Sequence, residues 1–223
     1  MNNWNGILSL LFASIEFILL INLLVFAEKN RLNLYAVMLI FLLFAYQLFE
    51  FLICGLNMTN PVTIYTAFVI ISFLPPLTQY MVLHILGFND KKLSLLFLPA
   101  LFFVVFYAFM IPSFRSTHCT PFYVSYNYPL GSVYGFFYYV PVFISAVMLY
   151  GKIKKNSAGE SRHEKVLFAG ITFTMLPAVI AFLMLFAGKE QLINIIESVM
   201  CKFAFVYALC LSFFSLNNKS VEN

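Results

Sequence analysis

The chain has 223 residues, 62% of them hydrophobic and 10% charged, with a mean hydropathy of +0.92 and a formal net charge of +4. A soluble domain is nearer half apolar and about a quarter charged, so this composition excludes a water-soluble core of that size. The chain reads as a single all-α integral membrane domain over residues 1–223, with room for a bundle of seven transmembrane helices of about 20 residues each.

Asn2, Asn3, Trp4 and Asn5 precede the first apolar stretch, and an indole suits the membrane interface. That stretch has no basic n-region and no small-residue cleavage site, so it reads as a retained span. Span 1 is expected over Ile7 to Ala27 and span 2 over Leu34 to Cys54, with Glu28-Lys29-Asn30-Arg31 between them. Span 3, Val62 to Gly87, is interrupted by Pro75-Pro76, a hinge candidate because each proline removes a helical hydrogen bond. Asn89-Asp90-Lys91-Lys92 leads to span 4, Leu93 to Ile111. A long polar connection, Pro112 to Gly131, precedes span 5, Ser132 to Tyr150. The charged loop Lys152 to Lys165 leads to span 6, Val166 to Ala187, and a turn at Gly188–Gln191 leads to span 7 around Ile193–Phe214.

Of the 13 Lys and Arg residues, ten fall in the loops after spans 1, 3 and 5 or in the tail: Lys29, Arg31, Lys91, Lys92, Lys152, Lys154, Lys155, Arg162, Lys165 and Lys219. Only Arg115 and Lys189 lie in the loops on the other side. Positive charge accumulates on the cytoplasmic side, so the N-terminus is expected outside and the C-terminus in the cytoplasm, as in a multi-pass protein of a plasma (inner) membrane.

Ionisable side chains in hydrocarbon cost several kcal/mol unless paired, hydrated or neutral. Glu16, Glu50, Glu197 and Lys202 lie inside the spans. At about 1.5 Å per residue, Glu197 is roughly 6 Å and Lys202 roughly 13 Å below the outer end of span 7, with Glu50 at a similar depth on span 2 and Glu16 near the middle of span 1. Tyr46, Gln47, Glu50 and Cys54 share one helical face, and so do Ser9, Ala13 and Glu16. Glu197 and Lys202 point about 140° apart, so Lys202 is expected to meet Glu16 or Glu50 across helices. Two readings stand: a buried Lys–Glu network that staples spans 1, 2 and 7, or an outward-open pocket that also includes Gln79 and Tyr80 of span 3 and binds a small ligand or protons.

Other polar residues divide similarly. His84 reads first as an interfacial histidine bonded to a neighbouring helix, with a proton-relay role as the less favoured alternative. Cys54 and Cys119 could pair in an oxidising outer compartment and pin the loop, whereas Cys201 and Cys210 read as small core residues. Tyr123, Tyr126, Tyr128, Tyr134, Tyr138 and Tyr139 read first as a headgroup belt, with a lid over the pocket as the alternative. A lysine midway along the last span is where retinal proteins form their Schiff base, but the aspartate those proteins carry four residues earlier is Ser198 here. There is no phosphate-binding glycine loop, metal-type Cys/His spacing or G-x-S-x-G. No cofactor, catalytic activity or nucleic-acid partner is therefore expected.

Tyr46-Gln47-Leu48-Phe49-Glu50, then Phe73-Leu74-Pro75-Pro76-Leu77, Leu83-His84-Ile85-Leu86-Gly87 and Leu98-Pro99-Ala100 resemble the seven-helix N-terminal sensor region of bacterial membrane histidine kinases. That resemblance implies seven spans, an external N-terminus, a proline-marked third span and a proline early in the fourth. It also implies a sensor whose signal passes to a separate cytoplasmic or membrane partner, since no kinase lies within these residues. The reading from the residues is a receptor- or sensor-like protein. A proton-coupled carrier of a small solute using Glu16, Glu50 and Glu197 is the alternative, with a retinal protein or an intramembrane enzyme less favoured.

Overall fold

Asparagines start two of the helices. Asn30 Oδ1 accepts the Asn33 amide at 2.8 Å, and Asn60 Oδ1 accepts that of Thr63 at 2.8 Å, with Pro61 following at the first helical position. Both arrangements satisfy amides that a helix N-terminus leaves orphaned. In the computed structural model, which describes residues 5–88, 90–155, 162–186 and 193–218, these caps open α2 (Arg31–Cys54) and α3 (Pro61–Ser72). The other helices are α1 (Ile7–Phe26), α4 (Leu74–Ile85), α5 (Leu98–Ala108), α6 (Gly131–Lys155), α7 (Arg162–Phe186) and α8 (Ile193–Asn217). Among the described residues, six helical stretches are long and apolar enough to cross a membrane, with α3 and α4 counting together as one.

α2 is the central helix. It packs on α1, α3, α4 and α8, and Ala36, Leu39, Ile40, Leu43 and Ile53 are fully enclosed. α1 contributes a narrower buried face of Ser9, Ala13, Glu16, Leu20 and Leu23, while Leu11, Ile18 and Leu24 on its other side are exposed, as suits lipid. α7 packs closely on α8. A side chain at Gly170 would come within 2.9 Å of Cys210 Cβ and 3.1 Å of the Tyr207 ring, so glycine permits this approach.

Span 3 breaks just ahead of its prolines. α3 ends at Ser72, Phe73 is the junction, and Pro75 and Pro76 occupy the first turn of α4, where a missing N–H removes no helical bond. The Ser72 hydroxyl lies 2.7 Å from the Phe68 carbonyl and 3.0 Å from the Tyr134 hydroxyl. Span 4 also differs from a continuous helix over Leu93–Ile111. A 3₁₀ helix, Lys91–Phe97, precedes α5, which begins at Leu98 with Pro99 in its first turn, where the proline has no N–H to continue a helical ladder back to Leu95.

Within the long polar connection an antiparallel hairpin forms, β1 (Arg115–Cys119) with β2 (Val124–Asn127), whose register shifts between Ser116 and His118. The hairpin is tied down at several points. Cys119 forms a disulfide with Cys54 at the end of α2. The Gly6 amide, at the start of α1, donates to Thr120 O at 3.2 Å. Gly6 has φ 74, and a side chain there would lie 3.2 Å from Gly55 N, so glycine brings the start of α1 against the end of α2.

Four of the six tyrosines read as a belt are core residues, a correction to that reading, while Tyr123 and Tyr128 are partly exposed. Tyr126, Tyr134, Tyr138 and Tyr139 are each at most 8% exposed. Tyr134 joins Phe68, Phe103, Tyr107 and Tyr128 in an edge-to-face cluster, with centroids 4.6–6.4 Å apart. Tyr126 belongs to β2 and Tyr134, Tyr138 and Tyr139 to α6, so hairpin and helix together turn these rings toward protein.

Candidate functional site

Tyr46, Gln47, Glu50 and Cys54 recur at spacings of three and four along α2, and all four are buried. Facing them from α8 are Ser198 and Lys202, one turn apart, and from α1 Ser9. Lys202 Nζ pairs with Glu50 Oε2, and it also donates to Ser9 Oγ at 2.7 Å and Gln47 Oε1 at 2.6 Å. These acceptors match the three N–H bonds of an ammonium group.

The carboxylate is equally engaged. Glu50 Oε2 also accepts Ser9 Oγ–H at 3.2 Å, while Oε1 accepts the hydroxyls of Tyr46, at 3.1 Å, and Ser198. Gln47 Nε2 donates to Cys201 O at 2.9 Å, which fixes the amide with its oxygen toward Lys202. Ser198 Oγ accepts the amide of Val124 at 2.9 Å, so the first residue of β2 hydrogen-bonds to the side chain that also binds Glu50.

One set of bonds thus joins α1, α2, α8 and the hairpin. Glu50, Gln47 and Ser198 have no exposure, and Lys202 has a side-chain exposure of only 9%. Beside Tyr46, under the hairpin, a cavity of about 10 Å³ lined also by Phe68, Phe114, Tyr126 and Tyr128 is close to the minimum for one water. A second cavity, of about 40 Å³, lies between α2, α4, α6, α7 and α8, next to Pro75, Thr78, Thr174, Cys201 and Tyr207.

Of the residues expected to converge, Tyr46, Gln47, Glu50 and Lys202 do so. Glu16 is fully buried on the α1 face that carries Ser9, within electrostatic reach of Lys202 and Glu50, and neither of its oxygens has a hydrogen-bond partner among the described residues. The side chain of Glu197 lies outside the described residues. Tyr80 is a correction: it packs on Tyr35, His84 and Phe97, with centroids 4.8–5.9 Å apart, and takes no part in the Lys202 bonds. The cause is depth, because Tyr35 precedes Glu50 on α2 by 15 residues, roughly 22 Å. Gln79, the residue before Tyr80, is buried on α4 and likewise does not enter the Lys202–Glu50 bonds among the described residues.

The pocket expected to open outward is filled by these mutual hydrogen bonds and covered by β2. Ser198 and the Val124 amide were not foreseen. The signal for Ser198 was its position four residues before Lys202, on the same helical face. His84 Nε2 lies 3.3 Å from Tyr35 Oη, an inter-helix contact of the kind expected.

Comparison with protein-family models, characterised proteins and solved structures yields no match. The resemblance to histidine-kinase sensor regions therefore finds no support there.

Removing one partner of a buried ion pair leaves the other charge uncompensated. Lys202→Met should destabilise the bundle by on the order of 3–5 kcal/mol, against about 1 kcal/mol for Ser9→Ala. Unfolding of the purified protein in bicelles measures both.

Proposed function

We propose that this is a receptor- or sensor-like membrane protein in which the state of the hairpin is coupled to the packing of α8 through Ser198, Glu50 and Lys202. The observation that carries this reading is the Val124–Ser198–Glu50–Lys202 chain of hydrogen bonds. A signal received at the hairpin would loosen Ser198 and Glu50 together, and Lys202 would then be held by fewer acceptors. The mechanism requires that the stimulus favour one of two packings over the other.

A seven-helix arrangement accommodates this scheme. The 3₁₀ segment Lys91–Phe97 rises about 2 Å per residue and α5 about 1.5 Å, together about 30 Å, enough for a seventh crossing of the hydrocarbon. With the basic loops inside, the hairpin faces the outer compartment, where a disulfide persists. At the opposite end, Lys152 of α6 donates to the Ile85 carbonyl of α4 at 2.8 Å and pairs with Glu164 of α7 at 3.2 Å. That junction is where a shift of α4 at the Phe73 break would reach a separate partner protein. The ligand would be a small molecule or a proton.

A proton-coupled carrier is the second reading, favoured by the carboxyl of Glu16, which has no hydrogen-bond partner among the described residues. Solute uptake into proteoliposomes driven by an imposed pH gradient would select it over the receptor.

Two experiments test the favoured reading. An epitope tag fused to the N-terminus should be accessible to antibody on intact cells, and labelling only after permeabilisation would reverse the topology. Spin labels at Phe88 and Lys155, both exposed near the ends of α4 and α6, should report a changed distance distribution when Ser198→Ala uncouples the hairpin from Glu50. An unchanged distribution would contradict coupling across the bundle.

A further inference from the structure

Glu16 lies two helical turns from Ser9 on the buried face of α1. α1 packs on α2 and α8, and the charged groups that act on Glu16 from those helices are Glu50 and Lys202 respectively. Each atom of the Lys202–Glu50 pair has partners, whereas both oxygens of Glu16 have none among the described residues. A lysine with one carboxylate is a neutral set; a second carboxylate adds a negative charge that no other group among the described residues of these faces balances. Burying such a charge without a counter-charge or hydrogen bonds is strongly unfavourable.

We infer that Glu16 is a proton-binding site, and that its proton decides whether Lys202 belongs to Glu50 alone. The step is simple. One proton from solvent forms an O–H bond to a carboxylate oxygen of Glu16, no bond within the protein breaks, and the charge of the Glu16–Lys202–Glu50 set goes from −1 to zero. With Glu16 protonated, Lys202 keeps Glu50 as its single anionic partner, and Glu50 keeps Ser198 and the hairpin. With Glu16 ionised, two carboxylates compete for one ammonium group, and the hold on Glu50 weakens. The consequence at the hairpin rests on the receptor reading above; the proton site itself does not.

The test uses the full-length protein in lipid and two readouts. The first is the infrared C=O stretching band of a protonated carboxyl group, recorded across pH at fixed sodium and across sodium at fixed pH. The second is the rate at which a membrane-impermeant phosphine reduces the Cys54–Cys119 disulfide, compared at each pH with Glu16→Gln, whose amide cannot ionise.

The expected result is a band that grows as pH falls, is insensitive to sodium and is lost in Glu16→Gln. The ratio of wild-type to Glu16→Gln reduction rates should rise severalfold with pH. A band that survives in Glu16→Gln, or none in the wild type at any pH, would overturn the proposal. A band that disappears as sodium rises would assign the site to a monovalent cation and overturn it as well. If Glu16→Gln does not fold, Glu16→Asp retains a carboxyl and should shift the band; an unshifted band would count against Glu16. A band assigned to Glu16 together with a pH-independent rate ratio would retain the proton site and overturn the receptor reading.

Discussion

An ion pair inside a bundle is costly before it is useful. Withdrawing Lys202 and Glu50 from water forfeits several kcal/mol per ion, and mutual attraction offsets this only when the remaining lone pairs and protons are also satisfied. Here they are satisfied by groups from three helices: Ser9 from α1, Tyr46 and Gln47 from α2, and Ser198 from α8. None of the helices can shift without leaving a buried polar atom unpaired, and that dependence sets the packing of α1, α2 and α8 around one point. In a membrane, where lipid tails are as apolar as the helix faces, such polar contacts also specify which helices meet.

The same bonds extend to the hairpin. Ser198 binds Glu50 on one side and the Val124 amide on the other, while the Cys54–Cys119 disulfide anchors β1 one turn beyond Glu50 on α2. The hairpin is therefore held covalently at one strand and through the ion pair at the other. A structure fixed only by hydrophobic burial would need neither attachment. This double attachment is the basis for reading the hairpin as the part that receives a signal, and the discontinuity at Phe73 as a place where the bundle can respond.

Much of this was legible in the sequence because helical phase and membrane cost are strong constraints. The shared face of Tyr46, Gln47 and Glu50, and the poor geometry between Glu197 and Lys202, direct the lysine across helices, where it meets Glu50. What was not legible depends on tertiary folding. The tyrosines after Pro112 carry the composition of an interfacial belt, and only the tertiary placement of β2 and α6 turns Tyr126, Tyr134, Tyr138 and Tyr139 into core. Tyr80 has the right chemistry for a polar site but the wrong depth, which becomes visible once it is seen packed on Tyr35. The 3₁₀ entry to α5 ends just before Pro99, and hydropathy alone cannot distinguish it from an α-helix. Ser198 is a small polar residue with many possible roles, and its double contact needs the position of β2.

A double-mutant cycle over Glu50→Gln, Lys202→Met and the combined variant, read by unfolding in bicelles, addresses the ion pair most directly. If the pair organises the bundle, the combined variant should lose much less than the sum of the single losses, with a coupling on the order of 3 kcal/mol. Additive losses would mean that the two side chains act independently, and that the bundle is held together by something else.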